Sequence, residues 1–188
     1  MTATEFFVLL QAHAKGALIT AMTLPNISEV DVFHGKIVPS SPIPLTKFRG
    51  NRNLDMVNAA NGLYLFSNKI FNILEENQIT GWNSLPVEIH MGKGEINHDY
   101  RLLTVTGRLV KIDFEKSEQI LKQPFSPSGK PIWIKRGLPI DMHTWDGSDI
   151  FSAENTLFTF ISEKVRNLLV ENRCTNIRIE ETTELELY

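Results

Sequence analysis

The sequence predicts an α+β fold, built mostly from antiparallel strands with two related helices on the sheet. Three observations lead to this prediction: apolar strand-like runs recur along the chain, a strand–helix–strand pattern occurs twice, and no apolar run reaches the length of a membrane span. The 188 residues are 42% hydrophobic and 22% charged, which is ordinary for a globular protein. We therefore expect residues 1–188 to form a single domain.

The repeated pattern is an ungapped internal match at a constant offset. Residues 64–82 align on residues 159–177, and seven of these 19 positions are identical, where about one is expected by chance. The identical pairs are Ser67/Ser162, Lys69/Lys164, Asn72/Asn167, Leu74/Leu169, Glu76/Glu171, Asn77/Asn172 and Thr80/Thr175. We interpret the match as an internal strand–helix–strand duplication, with units at about 62–91 and 157–187.

Each unit contains the signals of an apolar strand, a helix and a second strand. Ser67 and Ser162 precede the two helices, and we expect each hydroxyl to cap a free amide of the first helical turn. Asn77 and Asn172 follow the helices, where asparagine tolerates left-handed backbone geometry. Strands are predicted directly afterwards in both copies.

The remaining elements are predicted from β-propensity and from prolines. Residues 5–10 are predicted to form a strand because they are rich in aromatic and other apolar side chains, and residues 30–38 because apolar and polar residues alternate there up to Gly35. Residues 39–53 contain three prolines and a polar run, which predicts a surface loop. Residues 100–114 favour a hairpin that turns at Gly107.

Charge and cysteine content narrow the function classes. The net charge of −3 argues against a dedicated nucleic-acid binder, which would carry a basic face. The single cysteine, Cys174, cannot form an intrachain disulfide and fits a reducing compartment. The first residues lack the basic start of a secretory signal, so we expect a cytoplasmic protein with no membrane contact. We also expect no metal or cofactor, and a single cysteine excludes multi-cysteine zinc and iron–sulfur sites within one chain.

Three segments resemble the immunity protein eleven family, whose members are found beside polymorphic toxins in bacteria. The first is Leu65-Phe66-Ser67-Asn68-Lys69 with its continuation to Thr80-Gly81, and the second is Tyr100-Arg101-Leu102-Leu103-Thr104-Val105 leading to Asp113. The third is Asp149-Ile150-Phe151 followed by Phe160-Ile161-Ser162-Glu163-Lys164-Val165. The resemblance spans about residues 62–180, and Thr175-Asn176 departs from it where Thr-Gly is expected.

The resemblance implies a protein that binds a cognate toxin and neutralises it by occlusion. It brings no catalytic residues, so we expect a protein that is not an enzyme. An adaptor or chaperone for secreted effectors is an alternative, and it differs because the bound partner would stay active. The sequence does not decide whether the protein forms a homodimer.

One cluster offers an enzymatic alternative. Asp141 and His143 lie two residues apart, so on a strand they would share a face and could hold a metal or form a base–orienter pair together with Asp146. A metal-dependent hydrolase or nuclease would follow. A metal site needs three or four well-placed ligands, however, and a polar loop explains the same residues.

Two groups of residues are candidates for partner binding. Glu180, Glu181, Glu184 and Glu186 form an acidic C-terminal row that could fill a basic toxin cleft, although a solvated edge strand would look the same. Trp145 with Asp146 is the second group, since tryptophan often anchors interfaces but fills cores more often still.

Overall fold

A computed structural model describes residues 5–22, 28–59, 62–124, 128–154 and 156–187. These residues form an α+β fold with mostly antiparallel strand pairs, as predicted. The strands are β1 (Phe6–Gln11), β2 (Ile19–Met22), β3 (Ile43–Arg49), β4 (Met56–Asn58), β5 (Tyr64–Ser67), β6 (Trp82–Gly92), β7 (Glu95–Asn97), β8 (Tyr100–Val105), β9 (Glu118–Lys122), β10 (Ile132–Arg136), β11 (Ile150–Phe151), β12 (Thr159–Ser162), β13 (Ile177–Glu181) and β14 (Glu186–Leu187). The helices are α1 (Glu29–Phe33), α2 (Asn68–Glu76) and α3 (Glu163–Glu171).

The largest sheet closes on itself. Its strand order is β3-β2-β4-β5-β8-β6-β7, and β3 also pairs in parallel with β6. This extra pairing completes a ring of six strands, with β7 attached to the far part of β6. Closure protects strand edges that would otherwise remain free, and buried side chains of these strands belong to the larger hydrophobic cluster.

Two smaller sheets complete the molecule. One has the order β11-β12-β1-β13 and the other the order β14-β10-β9. The central strand β1 is buried on both faces, because Phe7 and Leu9 enter the larger hydrophobic cluster while Phe6 and Val8 enter a second one. Burial on both faces explains why this strand is a continuous apolar run rather than an alternating one.

The two copies of the sequence match occupy corresponding places in two sheets. The order β4-β5-β8-β6 in the large sheet parallels β11-β12-β1-β13 in the smaller one. The registers also agree: Met56↔Phe66, Ser67↔Tyr100 and Trp82↔Val105 in the first, Ile150↔Ile161, Ser162↔Phe6 and Ile177↔Gln11 in the second. The N-terminal strand β1 therefore takes the position that β8 holds in the large sheet.

Both predicted helices are present, but their starts differ from the prediction. Ser67 and Ser162 occupy the N-cap positions with extended backbones, yet neither hydroxyl caps its helix. The Ser67 hydroxyl donates instead to Asp55 and the Ser162 hydroxyl to Asp149, each at a distance of 3.0 Å. A hydrogen bond to a charged carboxylate is stronger than one between neutral groups. Each serine is thereby joined to the segment that precedes its strand.

The helix ends also differ from the prediction. Asn77 and Asn172 keep negative φ values of −96° and −82°, and their side-chain amides donate to carbonyls of the last helical turn. The left-handed residues follow one position later, at Gln78 (φ 52°) and Arg173 (φ 50°). Asparagine therefore closes each helix through hydrogen bonds from its side-chain and backbone amides, and not by adopting the left-handed conformation itself.

The predicted strand over residues 30–38 is wrong, because the chain forms α1 there. The Ser28 hydroxyl accepts the Asp31 amide at 3.3 Å and caps this short helix. Val32 and Phe33 are adjacent in sequence and both buried. Their packing into the larger hydrophobic cluster outweighs the β-propensity of the segment.

The predicted loop over residues 39–53 and the predicted hairpin at Gly107 are also wrong, because both depend on strand pairing with distant parts of the chain. The proline-rich segment 39–53 contains the strand β3, because Ile43 and Leu45 are buried and the strand pairs with both β2 and β6. No hairpin turns at Gly107: β8 lies between β5 and β6, and the Gly107 amide donates to the Gly81 carbonyl at 2.9 Å.

Candidate functional site

The four glutamates of the C-terminal row line one concave surface, called here the acidic groove. Glu180 and Glu181 belong to β13, Glu184 lies in the following turn, and Glu186 begins β14. The groove encloses about 560 Å³ and is completed by Arg178, Ile179 and Leu185. The structure therefore brings the predicted row together, although Glu184 and Glu186 do not lie on one strand.

A turn gives the groove its shape. β13 ends at Glu181, and the Glu184 amide donates to the Glu181 carbonyl at 3.1 Å. The next residue, Leu185, is buried in the second hydrophobic cluster and anchors the turn. The chain then returns as β14, where Glu186 pairs with Arg136 of β10. An apolar anchor within an acidic segment thus folds the glutamates around a cavity.

The carboxylates of the groove are only partly neutralised. Arg178 Nε lies 3.3 Å from Glu180 Oε1, and Lys122 of β9 forms an ion pair with Glu186. Glu181 and Glu184 are exposed and have no ion pair within the part of the chain that the structure describes. Two negative charges therefore remain available to a cationic partner.

Trp145 and Asp146 lie elsewhere and stabilise a loop. The half-buried Trp145 ring meets Phe6 edge-on at 5.0 Å, and its Nε1 donates to the Ser148 carbonyl at 3.0 Å. Asp146 accepts the amides of Arg108 and Ser148, each at 3.0 Å. Burial raises the pKa of Asp146, but a hydrogen bond donated by the Ser148 hydroxyl, together with these two amides, outweighs burial and holds the pKa below the ordinary value.

The geometry expected of the enzymatic alternative is absent. Residues 142–144 form a turn, so Asp141 and His143 do not share the face of a strand. The Asp141 carboxylate accepts the backbone amide of His143 at 3.1 Å and the pair closes that turn. Among the described residues, no group of three or more His, Cys, Asp or Glu side chains is arranged to hold a metal ion.

Two carboxylates that tie the corresponding sheets together were missed at the sequence level. Asp149 Oδ2 accepts the amide and hydroxyl of Thr80, at 3.1 and 3.2 Å, while its Oδ1 binds Ser162. Asp55 Oδ2 accepts the amide and hydroxyl of Thr175, both at 2.8 Å, while its Oδ1 binds Ser67. The repeated Ser and Thr were the available signal, but their acceptors lie outside the aligned residues.

Comparison with known proteins concerns the chain as a whole. A family model described as "Immunity protein family (Imm11)" matches residues 38–184, more than three quarters of the chain. No individual curated protein matches the sequence. None of the helices in the described ranges has the length and apolar character of a membrane crossing. The breadth of the family match shows that the chain belongs to the Imm11 family of immunity proteins.

Proposed function

We propose that this protein is a cytoplasmic antidote that binds a cognate polymorphic toxin and neutralises it by occlusion, without catalysis of its own. Membership of an immunity protein family supports a toxin as the partner in general. The observation that carries the mode of binding is the acidic groove, in which Glu181 and Glu184 lack ion pairs among the described residues. A toxin with a basic cleft would complement this charge.

The groove suits this role because its charge is placed on rigid elements. β13 is hydrogen-bonded to the buried strand β1, and Leu185 fixes the turn in the second hydrophobic cluster. A preorganised surface loses little conformational freedom on binding. Trp145 and Asp146 are proposed as a second, separate contact. Asp146 is exposed, which supports this contact. Most hydrogen-bonding groups of Trp145 and Asp146 are already used within the loop, which makes it the weaker of the two proposed contacts.

We further propose that the fold is one domain that arose by internal duplication. Equal strand order, equal register and the paired Asp55 and Asp149 contacts support this origin. Both copies have a cation–π contact between helix and strand, with the two residue types exchanged. In the first copy Arg101 of β8 lies 4.2 Å from the Phe71 ring of α2. In the second copy Arg166 of α3 lies 5.0 Å from the Phe7 ring of β1. Each helix would then have kept the same stabilising contact with its strand.

The test is co-expression with the product of the adjacent toxin-like gene, read by growth and by co-purification. We expect the protein to restore growth and to form a stable complex. A toxin that kills despite abundant antidote would refute the proposal. A stable complex without rescue would favour the adaptor or chaperone, whose partner stays active.

Charge-removing variants locate the contact. We expect Glu181→Gln combined with Glu184→Gln to slow association with the toxin about 10-fold at low salt, because exposed charges act mainly on encounter. The matched control is Glu76→Gln combined with Glu171→Gln, two exposed glutamates on the helices that also lack an ion pair among the described residues. Equal association rates for both double variants would exclude the groove.

A further inference from the structure

An exposed apolar surface lies on one face of the small sheet β14-β10-β9. Trp133 of β10 is 68% exposed and Leu121 of β9 is 47% exposed. The two residues are direct cross-strand partners, so their side chains are neighbours on the same face. An exposed tryptophan beside an exposed leucine is costly to keep in water unless another surface covers it.

This surface, called here the Trp133 face, also contains a shallow cavity. Strand alternation places Lys135 on the same face as Trp133, and Lys135 pairs with Gln119 on one side and Leu187 on the other. These residues and Ile134 line a cavity of about 320 Å³. The face thus offers both a protruding ring and a recess.

The other two tryptophans of the chain are used internally. Trp82 packs on the Phe71 ring at 5.3 Å, and its Nε1 donates to the Ile79 carbonyl at 2.8 Å. Trp145 likewise has a ring contact and a hydrogen bond from its indole N–H to a backbone carbonyl. In the described ranges Trp133 has neither a ring contact nor a hydrogen bond for its indole N–H. Its side chain therefore contributes little to the fold and is free to act at an interface.

We propose that the Trp133 face is the apolar half of the toxin-binding surface and that the acidic groove is its charged half; this inference rests on the proposed function. The two surfaces lie on opposite faces of the small sheet at its edge strand β14, where Glu186 lines the groove and Leu187 lines the Trp133 cavity. A toxin that wraps around this short edge strand would contact both surfaces. The partner they fit is a toxin domain with an apolar pocket bordered by basic side chains. A central aromatic anchor beside complementary charge is the usual composition of a tight interface.

Charge favours a toxin over a second copy of this chain as the occupant. A two-fold contact centred on Trp133 would bring the adjoining acidic grooves of both copies to the rim of one interface. Glu181 and Glu184 would then add like-charge repulsion, whereas a basic toxin would gain from the same carboxylates.

The experiment measures toxin binding by three versions of the full chain. Trp133→Ala removes the proposed anchor, and Phe48→Ala is the matched control, because Phe48 is 72% exposed on β3 of the large sheet. Using an inactivated toxin domain, we expect Trp133→Ala to raise the Kd at least about 30-fold, as for a hot-spot residue. Phe48→Ala should leave the Kd within about twofold of the wild type.

A footprint on the unaltered protein makes the result independent of variant folding. Hydroxyl-radical labelling should mark Trp133 in the free protein and lose that mark in the complex, whereas Phe48 labelling should persist.

Failure of the wild type to bind or neutralise the toxin would overturn the proposed function and this inference with it. A wild type that rescues growth while Trp133→Ala binds equally well would overturn this inference alone. A wild-type dimer that Trp133→Ala converts to a monomer would reassign the face to self-association.

Discussion

The carboxylate of Asp55 joins segments that lie 120 residues apart in sequence. Burial raises its pKa, but the hydrogen bonds from Thr175 and Ser67 and the charge of Lys69 outweigh burial, so the pKa lies below its ordinary value. A depressed carboxyl pKa stabilises the folded state above the ordinary value near pH 4, and this stabilisation is lost as the pH falls through the folded-state pKa.

Replacing this carboxylate should therefore have a pH-dependent effect. We expect Asp55→Asn to lower the free energy of unfolding by about 1–3 kcal/mol at pH 7, because Thr175 loses a charged acceptor. The difference from wild type should shrink below about pH 4, when urea unfolding is followed from pH 7 to pH 3. The control is Asp99→Asn, at an exposed aspartate with no side-chain ion pair in the described ranges. A pH-independent difference would contradict the assignment.

Gly81 and Asn176 occupy corresponding positions, both with left-handed backbones (φ 87° and 62°). A Cβ on Gly81 would lie 1.9 Å from the Ile150 carbonyl oxygen. Asn176 instead donates through its side-chain amide to the Met56 carbonyl at 2.6 Å and accepts the Ala14 amide at 2.8 Å. Asparagine at position 176, where the pattern has glycine, is thus stabilised by its side-chain hydrogen bonds. The same residue at position 81 would overlap with the Ile150 carbonyl.

We expect Gly81→Ala to destabilise the protein by more than about 3 kcal/mol, since both left-handed strain and steric overlap apply. The control Gly147→Ala isolates the strain, because Gly147 has φ 90° and a Cβ added there would meet no atom of the described residues within 4 Å. This control should cost only about 1–2 kcal/mol. Thermal and urea unfolding would measure both. Equal costs would show that the Ile150 backbone moves aside easily.

At the scale of elements, β1 is the strand on which both hydrophobic clusters depend. It lies between β12 and β13 and directs two side chains into each cluster. It also lies outside residues 38–184, which the family model matches. Its four buried residues, Phe6–Leu9, each contribute about 1.5–3 kcal/mol, a sum comparable to the whole stability of a typical domain.

Deleting residues 1–11 should therefore abolish folding. We expect the truncated chain to lose the amide dispersion of the native NMR spectrum, and a peptide of residues 5–12 added in trans to restore it. A scrambled peptide of the same composition is the control, because it keeps hydrophobicity but not the register with β12 and β13. A folded truncated chain would show that the other strands can close the gap.

On the scale of the whole molecule, two reciprocal side-chain contacts join the N-terminal and C-terminal halves of the chain. Asp55 in the first half binds Thr175 in the second, and Asp149 in the second binds Thr80 in the first. The larger hydrophobic cluster also includes residues of both, such as Leu74 and Leu169. These shared contacts favour unfolding as one unit over stepwise loss of one sheet.

We expect urea unfolding to show a single transition, with the same midpoint by far-UV circular dichroism and by tryptophan fluorescence. Thr80→Val and Thr175→Val should each lower the free energy of unfolding by about 1–2 kcal/mol. The midpoint should then fall while the transition stays single. Thr183→Val, at an exposed turn residue, is the control. Two separate transitions would contradict the proposal of a single domain.

The sequence by itself determined the features that local pattern controls. The helices α2 and α3 and the strands beside them follow from apolar spacing, and the acidic row is visible in the order of the residues. Only the tertiary structure decided where distant residues meet. Buried neighbours made a helix of residues 29–33 and a strand of residues 43–49, and pairing of β8 with β5 and β6 on its two sides replaced the hairpin expected at Gly107. It also decided that the half-buried Trp145 packs on Phe6 while Trp133 stays exposed, because side-chain exposure depends on which elements pack together and not on residue type alone.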